Sequence, residues 1–363
     1  MGTPQSKNGI VLITGGAGFI GSNLAARLLS DPAKQVRIFD NLSRRGVVHN
    51  LKWLQGLPGS RRLEFIDGDV RDSAAVSEAV RDVDEIYHLA AQVAVTTSVN
   101  DPRNDFEVNV GGTFNVLEAA RRSGRHPFLL LTSTNKVYGS LSGVSVKVEG
   151  TRYRAVDSNF CGVSESEPLD FHSPYGCSKG SADQYVRDYA RIYDLPTVVF
   201  RMSCIAGPRQ FGTEDQGWVA HFLYSVLEGI PITVYGDGFQ VRDILHVHDL
   251  IDAMQAVRRS GSRSAGEIFN LGGGPERSIS VIEMLDTIAR ETDRKPVLHY
   301  SDVRPGDQPL YISDIQKVTR HTGWKPRFSL SDILQSIHAF WRENRDLLSN
   351  QRRSAELASQ EVA

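Results

Sequence analysis

IVLITGGAGFIG, residues 10–21, decides the fold of this chain. A short apolar run ends at Thr14 and passes directly into a turn with glycines at Gly15, Gly18 and Gly21, followed by the helical pattern SNLAARLLS. Glycines let the backbone turn tightly and approach a pyrophosphate, and the N-terminus of the helix adds a partial positive charge. A glycine triplet alone is weak evidence, but the order of strand, turn and helix predicts a dinucleotide-binding unit.

Similar apolar runs recur through the first half of the chain, as VRIFD, LEFID, EIYHLAA, FLLLTST and TVVFRMS. They lack polar alternation, so we expect helices to cover both faces of each strand. The predicted fold class is α/β, with a Rossmann-type doubly wound parallel sheet over residues 9–203 and an insertion at about 140–172. Shorter strands and Gly-rich turns then predict a smaller C-terminal α/β substrate-binding lobe at 204–345, interleaved with the first. Residues 346–363 are expected to form a disordered tail.

Composition narrows the class of protein. The 363 residues carry a formal net charge of −2, which gives no reason to expect nucleic acid or a membrane surface as partner. No apolar run is long enough to span a membrane, and the first nine residues indicate only a disordered leader. Three scattered cysteines fit neither a disulfide framework nor a metal site, which favours a reducing, cytoplasmic setting.

The strand that follows the first helix ends at Asp40, where a carboxylate would hydrogen-bond an adenosine ribose. Asp40 favours NAD, because its charge would repel a 2′-phosphate. Arg44 and Arg45 follow closely, however, so NADP stays open at this point. GDVRD (68–72) is predicted to place Asp69 and Val70 beside the adenine, and the small residues of YHLAAQ (87–92) let the backbone come close to a dinucleotide.

A second constellation carries the chemistry. Tyr175 and Lys179 lie four residues apart in a helical segment, so they share one face. A phenol with an ordinary pKa near ~10 is a poor base at neutral pH, and we expect a neighbouring ammonium to lower it. Thr134, at the end of FLLLTST, is positioned to hydrogen-bond the same substrate hydroxyl.

GGAGFIG, YHLAAQ, TSTNKVYG, YGCSK, VRDILHVHD and RPGD together resemble the extended short-chain dehydrogenase/reductase family that acts on nucleotide-activated sugars. The resemblance covers residues from about 9 to 345. STNKVYG, LDFHSPYGCSKGSADQYV and the segment around GPRQFGTEDQGWVAHF are most similar to members that epimerise a CDP-hexose at C-2. This implies a tightly held NAD, a CDP-sugar substrate and a homodimer or homotetramer.

Carried over by position, Thr134, Tyr175 and Lys179 match the catalytic residues of the family. The cofactor-side positions are Gly15, Gly18, Phe19, Ile20, Gly21, Asp40, Asn41, Asp69, Val70, Leu89, Ala90, Ala91 and Asn109, with Tyr175 and Lys179. One departure is Ala206, where the family usually has an aromatic residue, which would enlarge the pocket or alter the loop.

Asn135 and Lys136 separate the chemistries within the family. The resembling dehydratases have acidic residues here, because elimination needs an acid/base pair beyond the tyrosine, and decarboxylases commonly carry a glutamate. Neutral and cationic side chains argue against both reactions. We expect Asn135 to contact the sugar, and Lys136 to be structural and to point away from Thr134, as alternate side chains of a strand do.

Basic and aromatic residues of the C-terminal lobe complete the predicted site. Arginine suits a diphosphate because its guanidinium can make two parallel hydrogen bonds. The predicted substrate-side residues are Gln92, Asn135, Cys204, Arg209, Gln210, Trp218, His221, Arg242 and Arg304. HVHD (246–249) resembles a metal motif, but without further ligands it predicts packing and helix capping by Asp249, and no metal site.

The leading hypothesis is an NAD-dependent epimerase of a nucleotide-linked sugar, at C-2 of a CDP-hexose. The first alternative is a UDP-sugar 4-epimerase, which would use the same catalytic groups on another carbon. A dehydratase, a decarboxylase and a nucleotide-binding protein without turnover are weaker alternatives, and the intact set of Thr134, Tyr175 and Lys179 argues against the last.

Overall fold

The structure is a computed structural model that describes residues 9–304 and 306–349. The first eight residues of the expected leader, and residues 350–363 of the expected tail, lie outside the described residues.

The strands are β1 (Gly9–Thr14), β2 (Lys34–Asp40), β3 (Leu63–Asp67), β4 (Glu85–His88), β5 (Phe128–Thr134), β6 (Val146–Glu149), β7 (Arg152–Ala155), β8 (Thr197–Met202), β9 (Cys204–Ala206), β10 (Ile232–Tyr235), β11 (Val241–His246), β12 (Glu267–Leu271), β13 (Ser278–Ser280), β14 (Leu298–Ser301) and β15 (Leu310–Tyr311). The α-helices are α1 (Phe19–Leu29), α2 (Val47–Gln55), α3 (Ser73–Ala79), α4 (Val95–Asn100), α5 (Pro102–Phe106), α6 (Gly112–Arg122), α7 (Ser173–Tyr193), α8 (Trp218–Glu228), α9 (Val247–Arg259), α10 (Val281–Thr292), α11 (Gln316–Thr322) and α12 (Leu330–Glu343).

Seven strands form the central sheet in the order β12-β8-β5-β4-β1-β2-β3. Every pairing in it is parallel, as the continuous apolar runs predicted. The order reverses beside β1, so the carboxyl ends of β1 and β4 border a crevice of the kind in which α/β proteins bind ligands. Apolar cores cover both faces of this sheet.

The C-terminal lobe has its own apolar core, made largely by α8, α10 and α12. It is interleaved with the sheet, because β12 returns to pair with β8 after the lobe has begun. The expected tail also needs correction at its start. Leu348 is buried in the core of the lobe and the hydroxyl of Ser349 donates to Glu228, so residues 346–349 are part of the packed structure.

The insertion bridges the two parts of the molecule. Its antiparallel hairpin, β6 and β7, is fixed to the C-terminal lobe by the ion pair of Arg152 with Glu283 and by a hydrogen bond from Tyr153 to Asp237. Farther on, the backbone N–H of Val163 donates to Ile312 O. Asn270, on β12 of the central sheet, donates to Val163 O at 2.8 Å. The insertion therefore ties the lobe to the sheet in front of the helix that carries Tyr175.

A π-helical turn at Glu107–Gly111 separates α5 from α6. One local expectation was wrong. Asp249 does not cap α9. The N-cap is His246, whose imidazole accepts from the N–H of His248, while Asp249 accepts the backbone N–H groups of Arg327 and Phe328.

Candidate active site

The glycine turn packs against the end of β4 too closely for larger residues. Gly15 has a φ of +69°, and a Cβ added to it would lie 2.7 Å from the backbone nitrogen of Ala90. A Cβ on Gly21 would lie 2.4 Å from Gly15 O. Thr14 joins the two strand ends, because its carbonyl accepts from Leu89 N at 3.0 Å. The turn is thus a shallow cradle lined by backbone.

Helix α1 starts at this cradle with Phe19 and Ile20 in its first turn, and no side chain caps its N-cap residue, Gly18. The N–H groups of this end are therefore available to an anion, as dinucleotide binding requires. Together with the missing Cβ atoms, this end of α1 fits a dinucleotide pyrophosphate.

Asp40 stands at the end of β2 beside the cradle. Its carboxylate accepts from the backbone N–H of Ala17 at 3.0 Å and of Leu42 at 2.9 Å, which fixes its orientation. Asn41 donates to Asp69 at 2.9 Å, and hydrogen bonds from Arg71 lower the pKa of Asp69 to about 2. Val70 is buried beneath these groups. Two oriented carboxylates therefore border the place predicted for the adenosine.

Asn109 lies on the π-helical turn and is buried. Its amide nitrogen contacts Gln92 O, Asp105 and Ser178 Oγ at 3.0–3.1 Å, and its amide oxygen accepts from Gln92 N at 3.0 Å. The structure thus gives Asn109 a positioning role, since it fixes the loop after Ala91 against α7. π-Helical turns are often found at functional sites.

The three predicted catalytic residues come together although Thr134 is far from the other two in sequence. Helix α7 presents Tyr175 and Lys179, and β5 ends at Thr134, whose side chain is near enough to the phenol of Tyr175 to oppose the rise of its pKa. Lys179 Nζ donates to Thr132 O at 2.7 Å, and Tyr175 N donates to Ser98 Oγ at 3.1 Å.

Burial dominates the electrostatics of this group. It raises the pKa of Tyr175 to about 12, opposed by the Thr134 hydrogen bond and the positive charge of Arg44. It lowers the pKa of Lys179 to about 8, opposed by Asp105 and Asp183. We expected the ammonium to lower the pKa of the tyrosine, but in the protein alone desolvation outweighs the neighbouring charges.

Asn135 and Lys136 do not continue the strand. Thr134 caps a 3₁₀ turn at Asn135–Tyr138, and its Oγ1 accepts from Lys136 N at 3.2 Å. The expectation that Lys136 points away through strand alternation was therefore wrong. Asn135 Nδ2 donates to Gln308 Oε1 at 3.1 Å, and Lys136 Nζ donates to Gly306 O at 3.2 Å. Both side chains face the C-terminal lobe.

The three predicted arginines do not form one set. Arg242 donates to Asp307 Oδ1 at 2.5 Å and to Gln308 O at 2.7 Å. Arg304 precedes the same residues and pairs with Glu214 and Asp215 at 3.4 and 3.5 Å.

Arg209 lies elsewhere, with its guanidinium 3.4 Å from the centre of the Trp53 ring and 5.5 Å from that of Phe340. This placement supports a packing role between α2 and α12, and Arg209 is not grouped with Arg242 and Arg304.

The remaining predicted substrate-side residues divide between the site and the core. Trp218 Nε1 donates to Cys204 Sγ at 3.3 Å, and Cys204 is close enough to Arg242 and Lys136 for their charges to lower its pKa, although burial raises it overall. Gln210 is buried and donates to Ile205 O. His221 lies beside the ring of Phe222 on α8. Ala206 is buried in the core of the C-terminal lobe, so it does not enlarge a pocket.

Sequence reasoning missed three residues that shape this site. Ser98 holds the backbone of Tyr175, and no signal in VTTSVN marked it. Asp307 and Gln308 directly follow RPG, so the motif could have identified them. Within residues 9–304 and 306–349 there is no cluster of three metal-ligating side chains and no helix long and apolar enough to cross a membrane.

Comparisons with known proteins identify the family of this chain. Residues 12–337 match the family described as GDP-mannose 4,6 dehydratase. The chain is 44% identical to CDP-paratose 2-epimerase of Salmonella typhi over 335 residues, which covers 90% of this chain and 98% of the relative.

Two solved structures have the same fold. A dTDP-glucose 4,6-dehydratase from Streptomyces venezuelae, solved with NAD bound, superposes with a TM-score of 0.80 at 30% identity, covering 94% of this chain and 99% of that one. A UDP-glucuronic acid 4-epimerase from Bacillus cereus, solved with UDP-glucuronic acid and NAD, has a TM-score of 0.79 at 27% identity over 92% and 99% of the two chains. The chain belongs to the GDP-mannose 4,6-dehydratase family, within the extended short-chain dehydrogenases/reductases that act on nucleotide sugars.

Proposed function

We propose that this protein is an isomerase, an NAD-dependent epimerase that inverts C-2 of a CDP-hexose, converting CDP-paratose to CDP-tyvelose. The observation that carries the proposal is the buried set of Thr134, Tyr175 and Lys179. The 3₁₀ turn that begins after Thr134 has no carboxylate at positions 135 and 136. The similarity to CDP-paratose 2-epimerase over nearly the whole chain supports the choice of nucleotide and carbon.

Thr134 and Tyr175 act at the same substrate hydroxyl. Thr134 orients that hydroxyl, and Tyr175 takes its proton and later returns a proton to the ketone oxygen, after the sugar has turned its other face to the cofactor. NAD, held at the glycine turn, supplies the chemistry that accepts a hydride and gives it back, so there is no net oxidation. Because the pKa of Tyr175 is about 12 in the protein alone, the phenolate needs further stabilisation when ligands bind.

Lys179 contributes in two ways. Its ammonium is fixed by the carbonyl of Thr132, on the same strand as Thr134, and so lies beside the strand end that receives the substrate. Its positive charge favours the phenolate of Tyr175 over the phenol. Asp105 and Asp183 keep the lysine charged in spite of its burial.

The diphosphate of the substrate is assigned to Arg242 and Arg304, which approach from the C-terminal lobe. In the structure their guanidinium groups are neutralised by Asp307, Glu214 and Asp215. A diphosphate would compete with these carboxylates for the same donors.

The test is a panel of CDP-, UDP- and GDP-sugars incubated with purified enzyme, with product stereochemistry determined by NMR. We expect inversion at C-2 of CDP-paratose and no elimination product. Inversion only at C-4 of a UDP-sugar would overturn the proposal in favour of the 4-epimerase alternative. Bound NAD without conversion of any sugar would favour a binding protein.

We further propose that the protein is a cytoplasmic homodimer or a homotetramer built from such dimers. The apolar side chains Phe114 on α6 and Tyr185 on α7 are 44% and 46% exposed, and their rings are in edge contact at 6.1 Å. Phe106 on α5 and Ile192 on α7 are still more exposed. A second copy of the chain would cover this face.

The thiols of Cys161 and Cys177 are free and exposed, which fits a reducing compartment.

A further inference from the structure

Lys136 is held in place by the catalytic residue before it. Because its backbone N–H is bonded to Thr134 Oγ1, any shift of Thr134 is transmitted to the start of the lysine side chain. The side chain runs toward the C-terminal lobe and is 23% exposed. Lys136 is therefore in a fixed position between the catalytic group and the residues assigned to the diphosphate.

The ammonium of Lys136 shares one carboxylate with an arginine. Its Nζ lies 3.6 Å from Asp307 Oδ1, the same oxygen that accepts from Arg242. Cys204, whose Sγ accepts a hydrogen bond from Trp218 Nε1, also interacts electrostatically with the ammonium of Lys136. Two cations on one carboxylate leave a net positive charge.

An ammonium has three N–H donors, and in the described part of the chain the acceptors that lie next to Lys136 Nζ are Gly306 O and Asp307 Oδ1. One donor is left for a ligand.

Lys136 is not needed to attach the C-terminal lobe to the strand end that carries Thr134. Asn135 already donates to Gln308, Gln308 donates to Gly139 O, and Arg242 donates to Gln308 O, so the segment at 306–308 is fastened without Lys136. Removing an ammonium from water is unfavourable, and an apolar side chain would pack at the same place without that penalty. The ammonium of Lys136 lies on a residue whose backbone N–H is hydrogen-bonded to Thr134, and its charge there suits contact with a polar ligand.

We propose that Lys136 is a substrate-orienting residue whose ammonium donates a hydrogen bond to an oxygen of the hexose. Through Asp307 it links this contact to Arg242, so that the grip on the diphosphate sets which sugar carbon lies against Thr134 and Tyr175. The inference rests on the proposed function for the identity of the sugar. It replaces the structural role expected from sequence, and it adds a determinant of specificity to the catalytic residues.

The experiment compares binding of CDP-paratose and of CDP alone, by isothermal titration calorimetry, to NAD-loaded full-length protein. Lys136→Met removes the ammonium and keeps much of the side-chain length, Lys136→Arg keeps the charge, and Lys147→Met, on the exposed hairpin, is the matched control. Thermal unfolding of each variant tests whether it is folded. NMR of the same samples follows conversion of CDP-paratose.

We expect wild-type protein to bind CDP-paratose more tightly than CDP, and Lys136→Met to reduce that preference about tenfold or more, as loss of a charged hydrogen bond does. Affinity for CDP should stay within about twofold, since Arg242 and Arg304 remain. Lys136→Arg should retain part of the preference, and Lys147→Met all of it. The Met variant should also lose conversion through a lower kcat, because the sugar is misplaced in the bound complex.

Three results decide between the two proposals. If Lys136→Met keeps the full preference for CDP-paratose, Lys136 does not touch the sugar and the inference is overturned. If wild-type protein has no preference for CDP-paratose over CDP, both proposals are overturned. If wild-type protein binds the sugar more tightly but leaves it unconverted, C-2 epimerisation is wrong, while a loss of preference in the Met variant still supports Lys136.

Discussion

At the scale of single residues, the proposed chemistry depends on how burial changes the pKa of a phenol and of an ammonium. Burial raises the pKa of Tyr175 to about 12, so it is held as a neutral phenol, and lowers the pKa of Lys179 to about 8, so its ammonium gives up a proton more easily than an exposed lysine. Tyr175 N donates a hydrogen bond to Ser98 Oγ, and Lys179 Nζ donates one to Thr132 O. Both acceptors are uncharged, so these hydrogen bonds hold the two residues in position without adding a countercharge.

Replacing Tyr175 with Phe should reduce kcat by about 10²- to 10⁴-fold, the usual contribution of a positioned general acid/base. NAD should remain bound, since the glycine turn and Asp40 are unchanged, and this can be measured from the absorbance of cofactor released on denaturation. Tyr300→Phe, which removes a hydroxyl from an exposed tyrosine of β14, is the control. Turnover by Tyr175→Phe within about tenfold of wild type would show that another group serves as the base.

Lys179 also predicts a dependence of stability on pH. Its pKa is lowered from 10.5 to about 8 on folding, so between these values the unfolded chain binds a proton that the native lysine has released. Stability then rises with pH in this window. The free energy of unfolding of wild type, relative to that of Lys179→Met, should increase by about 1–2 kcal/mol between pH values of about 7.5 and 9.5.

Urea unfolding of the two proteins at several pH values measures this difference. Tyr175 does not disturb the window, because a raised phenol pKa acts in the opposite direction and only above the ordinary value of 10.0. Parallel curves for wild type and Lys179→Met would mean that the lysine is not desolvated as described.

At the scale of elements, local sequence signals predicted what local physics determines. The parallel strands followed from apolar runs, and α10 and α12 begin at the capping boxes Ser280/Glu283 and Ser329/Asp332. Thr134, Tyr175 and Lys179 were predicted to form one site from their order along the chain, and the structure brings the three together. The start of a 3₁₀ turn at Asn135 was missed, because the run of β-forming residues gives no sign that Thr134 would cap a turn.

Long-range contacts were beyond such reasoning. Arg209 was assigned to the substrate because arginine suits phosphate, but the rings of Trp53 and Phe340 come from distant parts of the chain. Asp249 was assigned to capping, whereas its actual partners, Arg327 N and Phe328 N, follow much later in the sequence. Pairings of this kind depend on the assembled fold.

The glycine turn provides a test at this scale. Gly21→Ala should destabilise the protein by about 2 kcal/mol and release NAD, because the new Cβ would lie 2.4 Å from Gly15 O and must displace the cradle. Gly111→Ala is the matched control, since nothing lies within 4 Å of its added Cβ and its φ is helical. Thermal unfolding and cofactor content measure both effects, and a Gly21→Ala variant that retained NAD and stability would contradict the close packing described.

At the scale of the whole molecule, the exposed face on α6 and α7 predicts assembly. Phe114→Arg combined with Tyr185→Arg should convert the dimer or tetramer to smaller species in analytical ultracentrifugation, because charges would be buried at the proposed contact. Val148→Arg, which changes an exposed residue of the hairpin, should leave the mass unchanged. A double variant with the mass of the wild type would place the contact on another face.

The return of β12 to the central sheet also limits how this enzyme can be recombined with its relatives. The C-terminal lobe cannot be exchanged as one continuous segment, because part of that segment belongs to the central sheet. Residues 267–271 form the edge strand beside β8, and α9, which precedes them in the chain, packs on the sheet. A chimera that exchanged 204–345 as one segment would therefore replace part of the dinucleotide domain as well. Altering the sugar specificity calls for several short grafts, such as 210–218 together with 302–308, so that the shared sheet keeps its own last strand.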